Sequence, residues 1–194
     1  MMRRLIIFDK QSSFMKGYIK IYRGLLFLLF AIVIGACSSQ GTFSHLDESS
    51  RFVLRSDSGL FRGVYSDMGA SEVKAHEKAT LAEEEDDYLR YTHEGQLLDG
   101  QAEYEYFFAS QDRLDRIVAT VTIYNKDNLE QLKQDIVTFY DQKFGNHKTK
   151  DEEKHLWEFD APKGRNGSIE IELTTASDKD AYTLNIVITK YYKY

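Results

Sequence analysis

The sequence predicts an α+β fold: an antiparallel sheet with helices on one face, formed by a duplicated αβββ unit. Residues 100–110 and 167–177 alternate polar and apolar side chains with a period of two, which is typical of strands with one buried face. A segment with helical spacing of apolar residues precedes each set of strands. The two alternating segments align without gaps when Gly100 is placed on Gly167, and this constant shift, here called the repeat offset, indicates an internal repeat.

The evidence for the repeat is a set of matching residues that all align at the same shift in sequence. Residues 100–110 and 167–177 share their Gly, two Glu and closing Ala-Ser. The repeat offset also pairs apolar residues in flanking strands: Leu89 with Leu156, Ile117 with Leu184, Ala119 with Ile186, Val121 with Ile188 and Tyr124 with Tyr191. We interpret residues 60–124 and 125–194 as two copies of one supersecondary unit.

In the first copy, Gly69 is an acceptable N-cap for a short helix over residues 70–78. The five acids of residues 83–87 are interpreted as a solvated loop, because they lack the spaced oxygen ligands and the Gly of a calcium-binding loop. Strands are predicted over residues 88–92, 100–110 and 114–124.

The second copy begins with the clearest helix, residues 127–144, in which apolar side chains recur at helical spacing. Asp127 fits the N-cap, and Gly145 fits the left-handed residue that commonly ends a helix. Strands are predicted over residues 155–159, 167–177 and 182–192. Each copy thus ends in a three-stranded meander.

The N-terminal segment has the parts of a lipoprotein signal peptide. Residues 25–34 are apolar, Lys16, Lys20 and Arg23 precede them, and Ala36 precedes the only cysteine, Cys37. A basic region, a short apolar run and small residues before the cut are typical of a secretory signal. A cysteine at the cut resembles the bacterial lipobox, whose thiol receives a diacylglyceryl group. The run is too short for a transmembrane helix, which needs about 20 apolar residues.

These features divide the chain into a signal peptide, residues 1–36, a lipidated N-terminus with a flexible tether, residues 37–50, and a domain, residues 51–194. Met15 fits the true start, because Met15 and Lys16 open a compact signal. Acylation of Cys37 with palmitate or similar chains would hold the protein on a lipid bilayer without a spanning helix. Ser38 resembles the residue that follows the cysteine in lipoproteins of the outer membrane, where we expect the protein.

Charge and cysteine content exclude some partners. The chain has 25 basic and 31 acidic residues, and without residues 1–36, which hold six of the basic residues and one acid, its net charge is −11. Affinity for nucleic acids depends on Lys and Arg contacts to phosphates, so we expect no nucleic-acid partner. Because lipid consumes the one thiol, the fold has to be stabilised without disulfides.

Three short patterns indicate a family resemblance. Residues 69–73 (Gly-Ala-Ser-Glu-Val) resemble the helix start of small envelope lipoproteins, residues 107–117 resemble their hairpin of an aromatic strand and an Asp turn, and residues 143–145 (Lys-Phe-Gly) resemble their helix end. Together, over residues 63–192, the chain resembles the superfamily that includes the β-lactamase inhibitor protein and the small lipoprotein of the outer-membrane β-barrel assembly machine. The resemblance implies binding to other proteins, often through an open sheet face.

No catalytic or metal-binding motif stands out. The five histidines are His45, His76, His93, His147 and His155. None pairs with another, or with a Glu, in a zinc-protease arrangement, so we expect no metal and no cofactor. We expect His76 to pack partly buried on its helix and His93 to cap a turn.

The outer face of the predicted sheet is the candidate binding surface. Its residues are Glu103, Glu105, Phe107, Arg116, Glu170 and Glu172. The four glutamates could be the paired carboxylates of a glycosidase, but they alternate with core residues as in any half-exposed sheet. An aromatic side chain among charged ones is typical of a binding surface, although scattered apolar exposure without a function is an equal alternative. We therefore expect a noncatalytic module that binds an envelope protein or component; the alternative is a hydrolase or small-ligand receptor.

Overall fold

The computed structural model describes residues 42–95, 99–109, 113–151, 154–161 and 167–192. Its strands are β1 (Thr80–Glu85), β2 (Tyr88–Gly95), β3 (Gly100–Ala109), β4 (Arg113–Ile123), β5 (Lys148–Asp151), β6 (Lys154–Asp160), β7 (Gly167–Asp178) and β8 (Ala181–Tyr192). They form one antiparallel sheet in the order β1-β2-β3-β4-β8-β7-β6-β5. Two meanders, β1 to β4 and β5 to β8, therefore meet where β4 pairs with β8. The antiparallel α+β fold predicted from the sequence is confirmed.

Each meander has four strands, whereas the sequence predicts three. The additional strands, β1 and β5, form the two edges of the sheet. β1 contains the first three acids of residues 83–87, and Asp86 and Asp87 form the turn into β2, so the interpretation of that run as a loop is wrong. Nearly every side chain of β1 is exposed. A solvated edge strand needs no apolar alternation, and charges on it discourage pairing with another chain.

Three α-helices are described: α1 (Glu48–Leu54), α2 (Ala70–His76) and α3 (Lys126–Phe144). The predicted N-cap of α3 is two residues late. Asn125 is the cap, and its side chain accepts hydrogen bonds from the backbone N–H groups of Asp127 and Asn128. Gly145 ends α3 with φ +92°, a backbone angle that favours glycine. α2 ends before the predicted residue 78, because Glu77 is extended.

The ordered domain begins earlier than predicted. A 3₁₀ turn, Thr42–His45, precedes α1, whose N-cap Asp47 accepts a hydrogen bond from the N–H of Ser49. Leu46 is buried in the core. The predicted flexible tether of residues 37–50 therefore includes folded chain, and α1 continues from it to Leu54. The predicted signal peptide, Met15, Cys37 and Ser38 lie outside the described residues.

The core lies between the helices and one face of the sheet. α3 packs against β4, β6 and β8, and α1 reaches β2, where the rings of Phe52 and His93 meet at a centroid distance of 4.2 Å. Tyr104 and Tyr106 of β3 and Trp157 of β6 point into this layer and are fully buried. Their neighbours in sequence point to the opposite side, as the alternation predicts.

One predicted match between the two halves is wrong. Leu89 pairs with Tyr106 in the first half. The repeat offset relates Tyr106 to Leu173. In the second half, however, the residue that pairs with Leu173 is His155. His155 therefore lies at the position of Leu89. A shift of one residue moves a side chain to the other face of a sheet, so Leu156 lies opposite the helices.

Candidate functional site

The face of the sheet opposite the helices, here called the outer face, carries all six residues predicted for binding. Glu103, Glu105 and Phe107 lie on β3, Arg116 lies on β4, and Glu170 and Glu172 lie on β7. The helices described in this structure all pack on the other side, so the described residues leave the outer face open. Apart from the buried Leu156, the side chains described on this face are half-buried by one another or exposed.

A row of cross-strand neighbours crosses the middle of the outer face. In order, it contains Arg90, Glu105, Val118, Val187, Glu172 and Leu156. Val118 and Val187 pair directly at the centre of the sheet, and Leu156 is only 2% exposed. An apolar centre with charged residues around it is the usual composition of a protein-binding surface.

Aromatic side chains occupy one end of the outer face in the first half of the sheet. The rings of Tyr88 and Phe107 have centroids 5.0 Å apart, and the Arg116 guanidinium lies 5.8 Å from the centre of the Phe107 ring. The Tyr88 hydroxyl donates a hydrogen bond of 2.7 Å to Glu105. Burial raises the pKa of Tyr88, and the hydrogen bond to Glu105 raises it further. These contacts hold Phe107 as a fixed aromatic anchor beside a cation.

Ion pairs lie on both halves of the outer face. Arg90 bonds Glu83 at 2.9 Å and Glu103 at 3.3 Å, and therefore joins β1, β2 and β3. In the second half, Lys154 pairs with Glu172 at 2.5 Å, and Lys148 pairs with Glu158. All of these groups are partly exposed, so water and salt screen the pairs and they contribute little to stability. Their main effect is to order the charges of the outer face.

Two shallow depressions flank the row of neighbours. One, of about 280 Å³, is lined by Gln101, Ala102 and Glu103 together with side chains of β2 and β4. The other, of about 420 Å³, is lined by Ser168, Ile169 and Glu170 together with side chains of β6 and β8. The repeat offset, which relates β3 to β7, also places the first trio on the second.

A cluster of polar rings lies at the end of α3, and the sequence did not predict it. Asp141 accepts hydrogen bonds from the Trp157 indole at 2.9 Å and from the backbone N–H of His147 at 3.0 Å, and the His147 ring lies 2.9 Å from the same oxygen. The rings of His147 and His155 are 4.6 Å apart. Burial raises the pKa of Asp141, but these hydrogen bonds outweigh that effect and lower it overall. The cluster fastens β5 and β6 to α3.

Two other histidines differ from their predictions. His93 does not cap a turn: it lies within β2 and packs edge-on against Phe52. Burial lowers the pKa of His93. His76 is exposed at the end of α2 rather than packed, and Val73 is the one buried residue of that helix.

A buried ion pair supports the first half of the sheet. Arg62 donates two hydrogen bonds of 2.8 Å to Glu77 and one of 2.9 Å to each of two carbonyls at the end of α1, those of Phe52 and Val53. The Tyr106 hydroxyl donates to the same carboxylate at 2.8 Å. Burial raises the pKa of Glu77, but hydrogen bonding and the charge of Arg62 outweigh it and lower the pKa to about 2. This fully bonded network is structural, since it lies under the sheet rather than on its outer face.

No group of three or more His, Cys, Asp or Glu side chains in the part of the chain that the structure describes is arranged to hold a metal ion. No helix among the described residues is long and apolar enough to cross a membrane. Comparison with known proteins gave no match to a family model, a curated protein or a solved structure.

Proposed function

We propose that the protein is a lipid-anchored lipoprotein of the bacterial envelope that binds another envelope protein or component noncatalytically through its outer face. The observation that carries this proposal is the open face of an eight-stranded sheet with an aromatic and cationic anchor, Phe107 and Arg116, beside a central pair of valines. Buried aromatic and Arg anchors supply most of the energy of protein interfaces.

The charge of the sheet supports a partner with basic groups. Residues 79–125 carry 11 acids and 3 basic residues, whereas residues 145–194 carry 9 acids and 8 basic residues. Complementary charges raise the association rate and select the partner more than they raise affinity. The partner therefore presents Lys or Arg to β1, β2 and β3 and an apolar side chain to Val118 and Val187.

Membrane attachment in this proposal depends on Cys37. Its position after Ala36 and a short apolar run supports cleavage and acylation, and two or more acyl chains anchor a protein stably. Ser38 favours the outer membrane as the destination. The superfamily of the β-lactamase inhibitor protein, which the sequence resembles, would supply a precedent for binding through an open sheet.

We also propose that the two halves are copies of one unit, now a helix followed by four strands. The mirrored strand order about the β4–β8 pair supports this, as do the two depressions, whose linings correspond at the repeat offset. In this proposal, the slip of Leu156 is a place where the two copies have diverged in register.

A hydrolase or small-ligand receptor is the alternative. The two depressions favour a receptor, because they are lined by hydroxyl, amide and carboxyl groups. An enclosed, largely apolar pocket would suit a small ligand better than these open surfaces do.

Two experiments test the proposal. Cells fed labelled palmitate should label the protein but not its Cys37→Ala variant; label in the variant would contradict anchoring at Cys37. For binding, the lipidated protein is crosslinked in its native envelope and its captured partner is identified. Phe107→Ala and Arg116→Ala should lose that partner while Gln134→Ala, on the exposed side of α3, keeps it. The reverse pattern in folded variants would refute binding through the outer face.

A further inference from the structure

We propose that the anchor holds the helical side of the domain against the bilayer and presents the outer face away from it, toward a partner that approaches from the far side. This inference rests on the proposed acylation of Cys37. It concerns a surface that the binding proposal does not use, formed by the 3₁₀ turn, α1 and the exposed side of α3.

The described chain begins on the helical side of the sheet. Phe43 of the 3₁₀ turn packs edge-on against Phe139 of α3, with ring centroids 6.4 Å apart. The backbone N–H of Asp47 donates to Asp135 of the same helix at 2.9 Å. Because α1 reaches β2 and α3 covers β4, β6 and β8, the 3₁₀ turn lies over the middle of the sheet.

The chain between the anchor and this point is short. Five residue steps separate Cys37 from Thr42, and even fully extended they span no more than about 18 Å. To reach a bilayer that lies against the outer face, the chain would first cross about three strands to the edge of the sheet, roughly 14 Å. It would then pass through the thickness of the helix layer, about 10 Å. The tether is too short for that path, so the outer face cannot lie on the membrane that holds Cys37.

Charge favours the same orientation. Residues 42–78 and 126–144, which contain the helices, carry 10 acids and 8 basic residues, whereas residues 79–125 and 145–194 carry 20 acids and 11 basic residues. A surface of anionic lipids repels acidic protein surfaces within a Debye length. The nearly neutral helical side therefore approaches such a surface at less cost than the strands.

The test places a fluorophore on each side of the full lipidated protein. Acylated Cys37 has no free thiol, so Gln134→Cys on α3 and Thr189→Cys on the outer face each give one site for labelling. Both variants are reconstituted in vesicles of phosphatidylethanolamine and phosphatidylglycerol that contain a lipid with a spin-labelled headgroup. We expect quenching at position 134 to be several-fold stronger than at position 189. As a control, an insertion of about 20 Gly and Ser residues before Thr42, which can extend to roughly 70 Å, should remove most of this difference.

Other results would contradict either the orientation or the lipid anchor. Equal or stronger quenching at position 189 with the native tether overturns the orientation, and so does an absence of quenching at both positions in protein that carries lipid. Protein that takes up no palmitate overturns the anchor itself, and the orientation falls with it. Loss of the partner by Phe107→Ala is measured separately, so the binding proposal can fail or stand without this one.

Discussion

The two halves of the sheet share a strand order but are stabilised in different ways. In the first half, the short helix α2 is fixed to the sheet by the buried pair of Arg62 and Glu77. In the second half, the long helix α3 packs on the sheet through aliphatic and aromatic side chains. Among the rings, Tyr140 lies 5.4 Å from Trp157, and Phe144 stacks on Phe159 at 4.2 Å. A seven-residue helix with one buried residue, Val73, buries little apolar surface, so the attachment of α2 depends on these polar contacts.

The halves also differ on the outer face. The first half carries the aromatic anchor Phe107, whereas the repeat offset places Thr174 at the corresponding position of the second half. The first half is strongly acidic and the second is nearly neutral. The two halves therefore share a topology but present different side chains on the outer face. A partner can bind such a face in one orientation, whereas a symmetric face would allow two. The following predictions test this contrast, from the largest expected effect to the smallest.

The strongest test removes the cation of the buried pair. Arg62→Met leaves the Glu77 carboxylate buried without its partner, which should lower the free energy of unfolding by about 3–5 kcal/mol. Lys74→Met is the matched control, because it breaks the exposed Lys74–Glu84 pair of 2.6 Å and should cost less than about 1 kcal/mol. Urea denaturation measures both variants. Equal losses would show that the network does not support the first half.

Acid should weaken the first half through Glu77. Its pKa is about 2 in the folded protein and about 4.5 when unfolded, so its stabilisation is complete above pH 4.5 and is lost as the pH falls toward 2. The difference corresponds to about 3 kcal/mol. Unfolding free energies measured across this range should fall more steeply for the natural protein than for Glu77→Gln. Parallel curves would contradict the assignment to Glu77.

Truncation of the anchor tests the asymmetry of the outer face. Phe107→Ala should weaken binding of the captured partner by about 2 kcal/mol, roughly 30-fold. Thr174→Ala, at the corresponding position of the second half, should change the affinity little. Titration calorimetry measures the affinities, and thermal unfolding checks that both variants fold. A larger loss for Thr174→Ala would show that the binding energy comes from the second half instead.

The smallest effect is expected at the end of α3. Trp157→Phe keeps an aromatic ring but removes the indole N–H that donates to Asp141, and should cost about 1–2 kcal/mol of stability. His147→Gln, which can still donate to Asp141, should cost less. If the loss for Trp157→Phe approached that for Arg62→Met, the second half would depend on a polar network as much as the first does.

Sequence patterns predicted the central part of the sheet because their physical cause is local. Tyr104 and Tyr106 alternate with Glu103 and Glu105, and this alternation alone assigns each residue to a face. The six residues of the candidate face were predicted in this way, and the structure has all of them there. The edge strand β1 carries no such pattern, since water reaches both of its sides.

The polar clusters could not be predicted because their members are far apart in sequence. Arg62 and Glu77 are 15 residues apart, and Asp141 and Trp157 are 16 apart; such separations carry no periodic signal. Each pair meets only after a helix has packed on the sheet. The one-residue slip at Leu156 is of the same kind, because β6 pairs on both sides and its register depends on its neighbours.

By itself, the sequence determined the alternation of β3, β4, β7 and β8, the helix α3, and the lipobox resemblance at Cys37, because each is encoded in adjacent residues. Only the tertiary structure decided that β1 and β5 extend the sheet, that Arg62 and Glu77 are paired, and that the chain enters the domain on its helical side. These features depend on which elements pack together, and packing is determined by the whole fold rather than by any one segment.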